Sequence, residues 1–296
     1  MKLSKKSRRD FFKNIYTLSI ISLTLPFSSC VLSSSRIRFG LSTDSHYAET
    51  NPRGTRFYRQ SLNKMQEFID VMNQSEVDFI INLGDFKDEA AGGKETDTLH
   101  FLKSIESVFQ TFNGPTYHCV GNHDVDSITK SLFLSNIENT GISKDKSYYS
   151  FDMKDFHFIV LDPNYTAEGK DHYYKEGADW QNTNIPKEQI EWLKNDLQRS
   201  KYPSIVFCHQ LLFHHIGNGH QYNVNNYLEI HEILKQHNVL AVFQGHVHKE
   251  IYKEIDDIHY ISQLGMVDFD GLDNNSFAII EINSSEVKIE GYKRSS

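Results

Sequence analysis

Short apolar runs alternate along this chain with stretches of helical period, and most of the runs end in a polar cluster. A run of four to eight apolar residues bounded by turn formers reads as a buried strand. Apolar positions at steps of three and four read as one face of a helix. On that basis residues 36–43 predict a strand ending at Asp44. Tyr58, Leu62, Met65, Ile69 and Met72 then predict a helix face. Residues 79–83 predict a strand ending at Gly84-Asp85. Leu99, Leu102, Ile105, Phe109 and Phe112 mark a second helix, and 117–120 a strand ending at Gly121-Asn122. Strands follow at 148–153 and 156–161, then a helix through Ile190, Leu193 and Leu197. Further strands at 205–208 and 239–243 end at His209 and Gly245-His246. The tail alternates like antiparallel strands at 251–255, 258–262, 277–282 and 287–292. This alternation predicts an α/β fold, and with no repeat or long linker, residues 36–296 predict one domain.

The first 35 residues have a different character and predict an export signal and tether. Lys2, Lys5, Lys6, Arg8, Arg9 and Lys13 precede an apolar run over 15–27. That run is too short and too rich in Ser and Thr for a membrane span, and the layout is that of an export leader. Ser7-Arg8-Arg9-Asp10-Phe11-Phe12-Lys13 resembles the bacterial twin-arginine signal, which is read by a receptor that exports folded proteins. Phe27-Ser28-Ser29-Cys30 resembles a lipoprotein cleavage box, with Phe27 where Leu is usual. Cleavage before Cys30, lipidation of Cys30 and a membrane-anchored location outside the cytoplasm are the expectation. A cut elsewhere in the Ser-rich stretch 28–35 would leave a soluble periplasmic protein, and a solvated basic helix is the plainer alternative to export.

Composition narrows the picture at two points. A net charge of −8 over 296 residues argues against a nucleic-acid polymer as partner, because such binding relies on Lys and Arg displacing counterions. Three Cys provide no disulfide framework, and Cys119 and Cys208 sit inside apolar runs as small hydrophobes.

The chemistry lies at the strand ends. Asp44-Ser45-His46, Gly84-Asp85-Phe86-Lys87-Asp88, Gly121-Asn122-His123-Asp124, His209 and Gly245-His246-Val247-His248 occur in that order. In α/β sheets such loops converge on a ligand site. Asp, Asn and His offer hard oxygen and borderline nitrogen donors with no thiolate, which suits Mn, Fe, Zn or Mg. Singly, each has a plain alternative: Asp44 with His46 could cap a turn, Gly84-Asp85 is an ordinary turn pair, and His209 stands near His214 and His215.

This ordered set resembles the calcineurin-like metallophosphoesterase superfamily over roughly residues 37–291. The resemblance implies a four-layer αββα sandwich with two mixed β-sheets and two divalent metal ions. By the same resemblance Asp85 bridges the ions, Asp44, His46 and His248 complete one, and Asn122, His209 and His246 complete the other. A hydroxide shared by the ions would attack phosphorus, His123 would be the general acid, and Asp88 would orient His123, with Asp124 a second candidate for that task.

A finer resemblance concerns the substrate. Phe39-Gly40-Leu41, Gly54-Thr55-Arg56-Phe57-Tyr58-Arg59 with Ser61-Leu62, and Asn226-Tyr227 resemble the manganese-dependent ADP-ribose/CDP-alcohol diphosphatase branch. His46 and Asp124 depart from it, since Gln and Glu are common there. This branch implies a small, nucleotide-type substrate with a diphosphate linkage, and makes Arg56 and Arg59 candidate substrate contacts. A solvated helix face accounts for the two arginines as well. The alternatives are an exported phosphomonoesterase or phosphodiesterase that scavenges phosphate, and an inactive surface-binding scaffold.

Overall fold

The computed structural model describes residues 20–24, 36–89, 92–177, 179–215, 221–283 and 286–296. Among them two six-stranded sheets face one another. The first runs in the order β1 (Ile20–Thr24), β12 (Glu286–Lys293), β11 (Ser276–Ile282), β2 (Ile37–Ser42), β3 (Phe79–Asn82) and β4 (Thr116–His118). The second runs β5 (Tyr149–Met153), β6 (Phe156–Leu161), β7 (Ser204–Cys208), β8 (Val239–Gln244), β10 (Ile258–Ser262) and β9 (Ile251–Ile255).

Within the first sheet β2, β3 and β4 are parallel, with Leu41 opposite Ile81 and Ile81 opposite Tyr117. Within the second, β6, β7, β8 and β10 are parallel, and Phe207 lies opposite Phe243. Strands buried on both faces carry near-continuous apolar sequence, which is why these runs stand out.

Phe39 lies at the centre of the space between the sheets. Its ring stacks on Phe79 at 4.8 Å and meets Phe158, Phe207 and Phe243 edge-on at 5.7 to 5.9 Å. Truncating such a ring to Ala typically costs about 3–5 kcal/mol.

Helices cover the outer faces. α1 (Ser61–Ser75) buries Met65, Phe68, Ile69 and Met72, and α2 (Glu95–Phe109) buries Phe101, Leu102, Ile105 and Phe109 against the first sheet. Glu95 and Asp97 in the first turn of α2 complement its positive dipole end. α3 (Lys130–Ser135) starts at Thr129, whose side chain accepts from the Leu132 N–H. α4 (Lys187–Arg199) and α5 (Tyr227–Leu234) cover the second sheet with Ile190, Leu193, Leu197, Ile230 and Leu234. The result is the expected four-layer αββα sandwich.

The tail departs from a simple antiparallel run. β9–β10 and β11–β12 are antiparallel hairpins, but β10 also lies parallel to β8, and β11 crosses to pair with β2. Ile20–Thr24, inside the expected leader, pairs antiparallel with β12. Arg8, Arg9 and Cys30 lie outside the described residues. No helix among those described is long and apolar enough to cross a membrane.

Candidate metal centre

Parallel strands bring their C-terminal ends to one edge of each sheet, and the two edges meet. Asp44 and His46 follow β2, Asp85 follows β3, Asn122 follows β4, His209 follows β7, and His246 and His248 follow β8. All seven are buried or nearly so. Three groups of titratable side chains in this region have ligand atoms within 4.8 Å of one another: Asp44, His46 and His248; His46, Asp88 and His123; and Asp85, His209 and His246.

The backbone is bent to present them. Asp44, His46, Asp85, His246 and His248 adopt φ values of 51°, 44°, 51°, 70° and 52°. The left-handed region costs a side-chain-bearing residue of order 1–3 kcal/mol, and such strain clusters at functional sites. Gly84 and Gly121 let the loops touch. A Cβ on Gly84 would lie 2.7 Å from the Gly121 nitrogen, and one on Gly121 would collide with Asp85.

Three ring nitrogens are fixed from behind. His209 Nδ1 donates to the Leu83 carbonyl at 2.8 Å, His248 Nδ1 faces Asp268 at 2.8 Å, and His46 Nδ1 faces Asp88 at 3.0 Å. That leaves each Nε2 turned inward, the arrangement that backs metal-ligating histidines. His46 Nε2 and His248 Nε2 are 3.2 Å apart. Asp85 Oδ2 lies 3.1 Å from His209 Nε2 and 3.5 Å from His46 Nε2, between the two halves. Asp44 Oδ1, Asn122 Oδ1, His209 Nε2 and His246 Nε2 are buried without a hydrogen bond of proper geometry. Orphaned buried polar atoms are costly. Inward-facing carboxylate, amide and imidazole donors together fit hard or borderline divalent cations.

Charge follows the same layout. Burial would raise the Asp44 and Asp85 carboxyls, but the neighbouring histidines, His248 for Asp44 and His209 for Asp85, hold both below the usual range. Burial opposes the charged forms of His209 and His248, yet the attraction of Asp85 and Asp44 pushes each up to about 9. For His246, burial and then the charge on His209 lower it to about 3.

His123 is 28% exposed, and its Nδ1 faces Asp88 Oδ1 at 3.4 Å and Asp126 Oδ2 at 3.7 Å. Its backbone N–H donates to Asp85 Oδ1 at 2.7 Å. Burial works against its protonation, but Asp88 and Asp85 outweigh it and raise its pKa well above the ordinary value. Asp88 thus touches both His46 and His123. Asp124 does not face the His123 ring. It accepts from the Phe86, Lys87 and Gly121 N–H groups, joining the two ligand loops, and burial with Asp85 pushes it up to about 7. Arg56 Nη1 reaches to 3.8 Å from Asp88. Arg59 is engaged elsewhere, donating to the carbonyls of Thr50 and Glu49.

Several residues of the site lie outside the strand-end motifs. Asp126 pairs with buried Lys87, which also donates to the His123 carbonyl. Asp268 backs His248. Trp180 and Tyr222 set their rings 5.6 and 5.9 Å from His246, and both are partly exposed. The Gly-Asp-Phe-Lys-Asp spacing could have flagged Lys87; nothing marked Asp268 among 39 acidic residues.

Fold and site together define a metal-dependent phosphohydrolase. The chain belongs to the calcineurin-like phosphoesterase family, whose sequence pattern matches residues 37–250. It is similar to the manganese-dependent ADP-ribose/CDP-alcohol diphosphatase of Oryza sativa subsp. japonica, 28% identical over 251 residues covering 71% of this chain and 77% of that protein. The Arabidopsis thaliana protein of the same name is 29% identical over 131 residues, 42% of this chain and 41% of that protein. Among solved structures, a dimetal phosphatase from Danio rerio superposes with a TM-score of 0.72 at 17% identity, covering 86% of this chain and 95% of that one. That likeness is one of fold.

Proposed function

We propose that the chain hydrolyses phosphoester or diphosphate bonds in a small, nucleotide-type substrate, using two divalent ions. The observation that carries this reading is the set of orphaned, inward-facing donors: Asp44, Asn122, His209 and His246 each bury a polar atom that a cation would satisfy. Asp44, His46 and His248 would hold one ion, Asn122, His209 and His246 the other, and Asp85 both. Bound there, the ions would supply an activated water and neutralise charge on the phosphoryl oxygens.

The chain's own groups account for the remaining steps. His123 would protonate the leaving oxygen, since its Nδ1 is engaged by Asp88 and Asp126 and its protonated form is favoured. Arg56, beside Asp88 and partly exposed, would meet a phosphate oxygen. Arg59 is better explained as a brace for the 49–51 loop. Two features support the nucleotide-type substrate: the names of the plant relatives, and the Trp180 and Tyr222 rings beside His246, which offer stacking surface to a flat group.

A second reading, an exported phosphomonoesterase or phosphodiesterase that scavenges phosphate, is favoured by the Arg8-Arg9 leader motif. An inactive scaffold would be expected to lack ligands, and all seven are present. Phosphomonoesters, diesters and nucleotide diphosphates, each assayed with Mn, Mg, Zn and Fe, separate the readings. Turnover confined to nucleotide diphosphates supports the first, and broad monoester turnover the second. No turnover with any metal would leave the scaffold.

We also propose that residues 36–296 form the working domain and that the leader delivers it to the outside of the cytoplasm, anchored through Cys30. Replacing Arg8 and Arg9 by Lys should retain the precursor inside. Cys30→Ser should release the protein from membranes, because acyl chains contribute about 0.8 kcal/mol per buried CH₂. Fractionation with a labelled fatty acid decides both, and label persisting in Cys30→Ser refutes the anchor.

A further inference from the structure

Three backbone carbonyls converge on one buried ammonium outside the ligand set. Lys64, on α1, is fully buried and donates to the carbonyl oxygens of Met266 at 2.9 Å, Asp268 at 2.9 Å and Phe269 at 2.8 Å. An ammonium has three donors, and all three are used. Core packing alone would be served better by Leu or Met at this position, since burying a charge is costly unless bonds replace its hydration.

The grasped segment is a bend that touches one half of the metal centre. Met266 and Val267 donate their N–H groups to the carbonyls of Thr43 and Asp44, each at 3.0 Å. Asp268 accepts from Thr55 Oγ1 at 2.8 Å through one oxygen and faces His248 Nδ1 at 2.8 Å through the other. Phe269 holds φ at 62° and donates to the Thr55 carbonyl at 2.7 Å. A bulky residue in that region persists only where its surroundings over-determine it. Lys64 supplies the third side of that enclosure.

We infer that Lys64 is a positioning residue for the Asp44, His46 and His248 half of the centre, fixing the 266–269 bend so that Asp268 orients the His248 ring. This rests on the proposed assignment of those three residues to one ion. A purely structural lysine would weaken both halves alike. A lysine acting through its charge would repel the cation, so its removal would tighten binding.

Calorimetric titration of the metal-free protein with Mn²⁺ alone separates these outcomes. Wild type should bind two ions per chain; a total stoichiometry of one would overturn the site assignment itself, before any variant is made. Lys64→Met should weaken binding of one ion by about 10–100-fold, the usual effect of losing a partner behind a ligand, and leave the other unchanged. Asp268→Asn, which leaves the lysine bonds in place, should reproduce the same selective loss, and Lys64→Gln, which keeps two of the three donors, should show a smaller selective loss if thermal melting shows Lys64→Met to be unfolded. Two unchanged affinities, equal weakening of both, or tighter binding would each overturn the inference.

Discussion

The two halves of the proposed metal centre would use similar ligands, and their side chains are held by different means. On the Asp44 side, His46 and His248 are backed by carboxylates, Asp88 and Asp268. On the Asn122 side, His209 is backed by the Leu83 carbonyl, and amide side chains tie the loops together: Asn164 Nδ2 donates to the Val120 carbonyl and Gln210 Nε2 to Asn164 Oδ1. Buried Lys130 anchors that second network, lying 2.7 Å from Asp162 and donating to the Asn164 carbonyl. The first half therefore has carboxylates directly behind its histidine rings, and the second has a carbonyl and an amide network braced by a buried ion pair. Asp85 lies between them, near His46 of one half and His209 of the other.

Removing what the halves share should have the largest effect. Asp85→Asn is expected to abolish activity and strip metal, because an amide bridges two cations poorly. Elemental analysis of the purified variant checks it, and two ions retained would remove Asp85 from that role. Next in size, His123→Ala should lower turnover of substrates with poor leaving groups by about 10²–10⁴-fold and spare a nitrophenyl ester more, with metal content unchanged. Equal losses on both substrates would argue against an acid role.

A third change addresses only the half braced by Lys130 and the amide network. Lys130→Met leaves Asp162, fully buried, without its partner, and should cost about 3–5 kcal/mol in denaturant unfolding. A change under 1 kcal/mol would mean that the amide network stands without its lysine.

The smallest effect is a pH slope. In the metal-free protein His248 and His209 each titrate near 9, one in either half. A cation must displace those protons, so apparent Mn²⁺ affinity should rise with pH up to about 9, by about tenfold per unit for each proton displaced, and fall on acidification. Titrations buffered at several pH values check this, and a flat profile would contradict the proton assignment.

The convergence of these Asp, Asn and His side chains is legible in the sequence because each follows an apolar run, and runs buried on both faces are hard to miss. Layer order was harder. Nothing local distinguishes β10, which pairs parallel with β8, from β11, which crosses to β2, because the hairpin alternation around both looks alike. The short helices α3 and α5 lacked enough turns for a period to show. Supporting residues were least legible. Asp268 stands 20 positions beyond His248, and Lys64 is an ordinary helix lysine until the fold encloses it. Their contacts span sequence separations of up to about two hundred residues, which no window along the chain reports. Asp124 is the opposite case: next to His123 in sequence, it turns its carboxylate to the loop backbone instead.

Counting ions per chain tests the two-ion centre most directly. Elemental analysis of metal-loaded wild type, His248→Ala and His246→Ala, each confirmed folded by thermal melting, should give two, one and one. Wild type binding a single ion, or both variants retaining two, would contradict it.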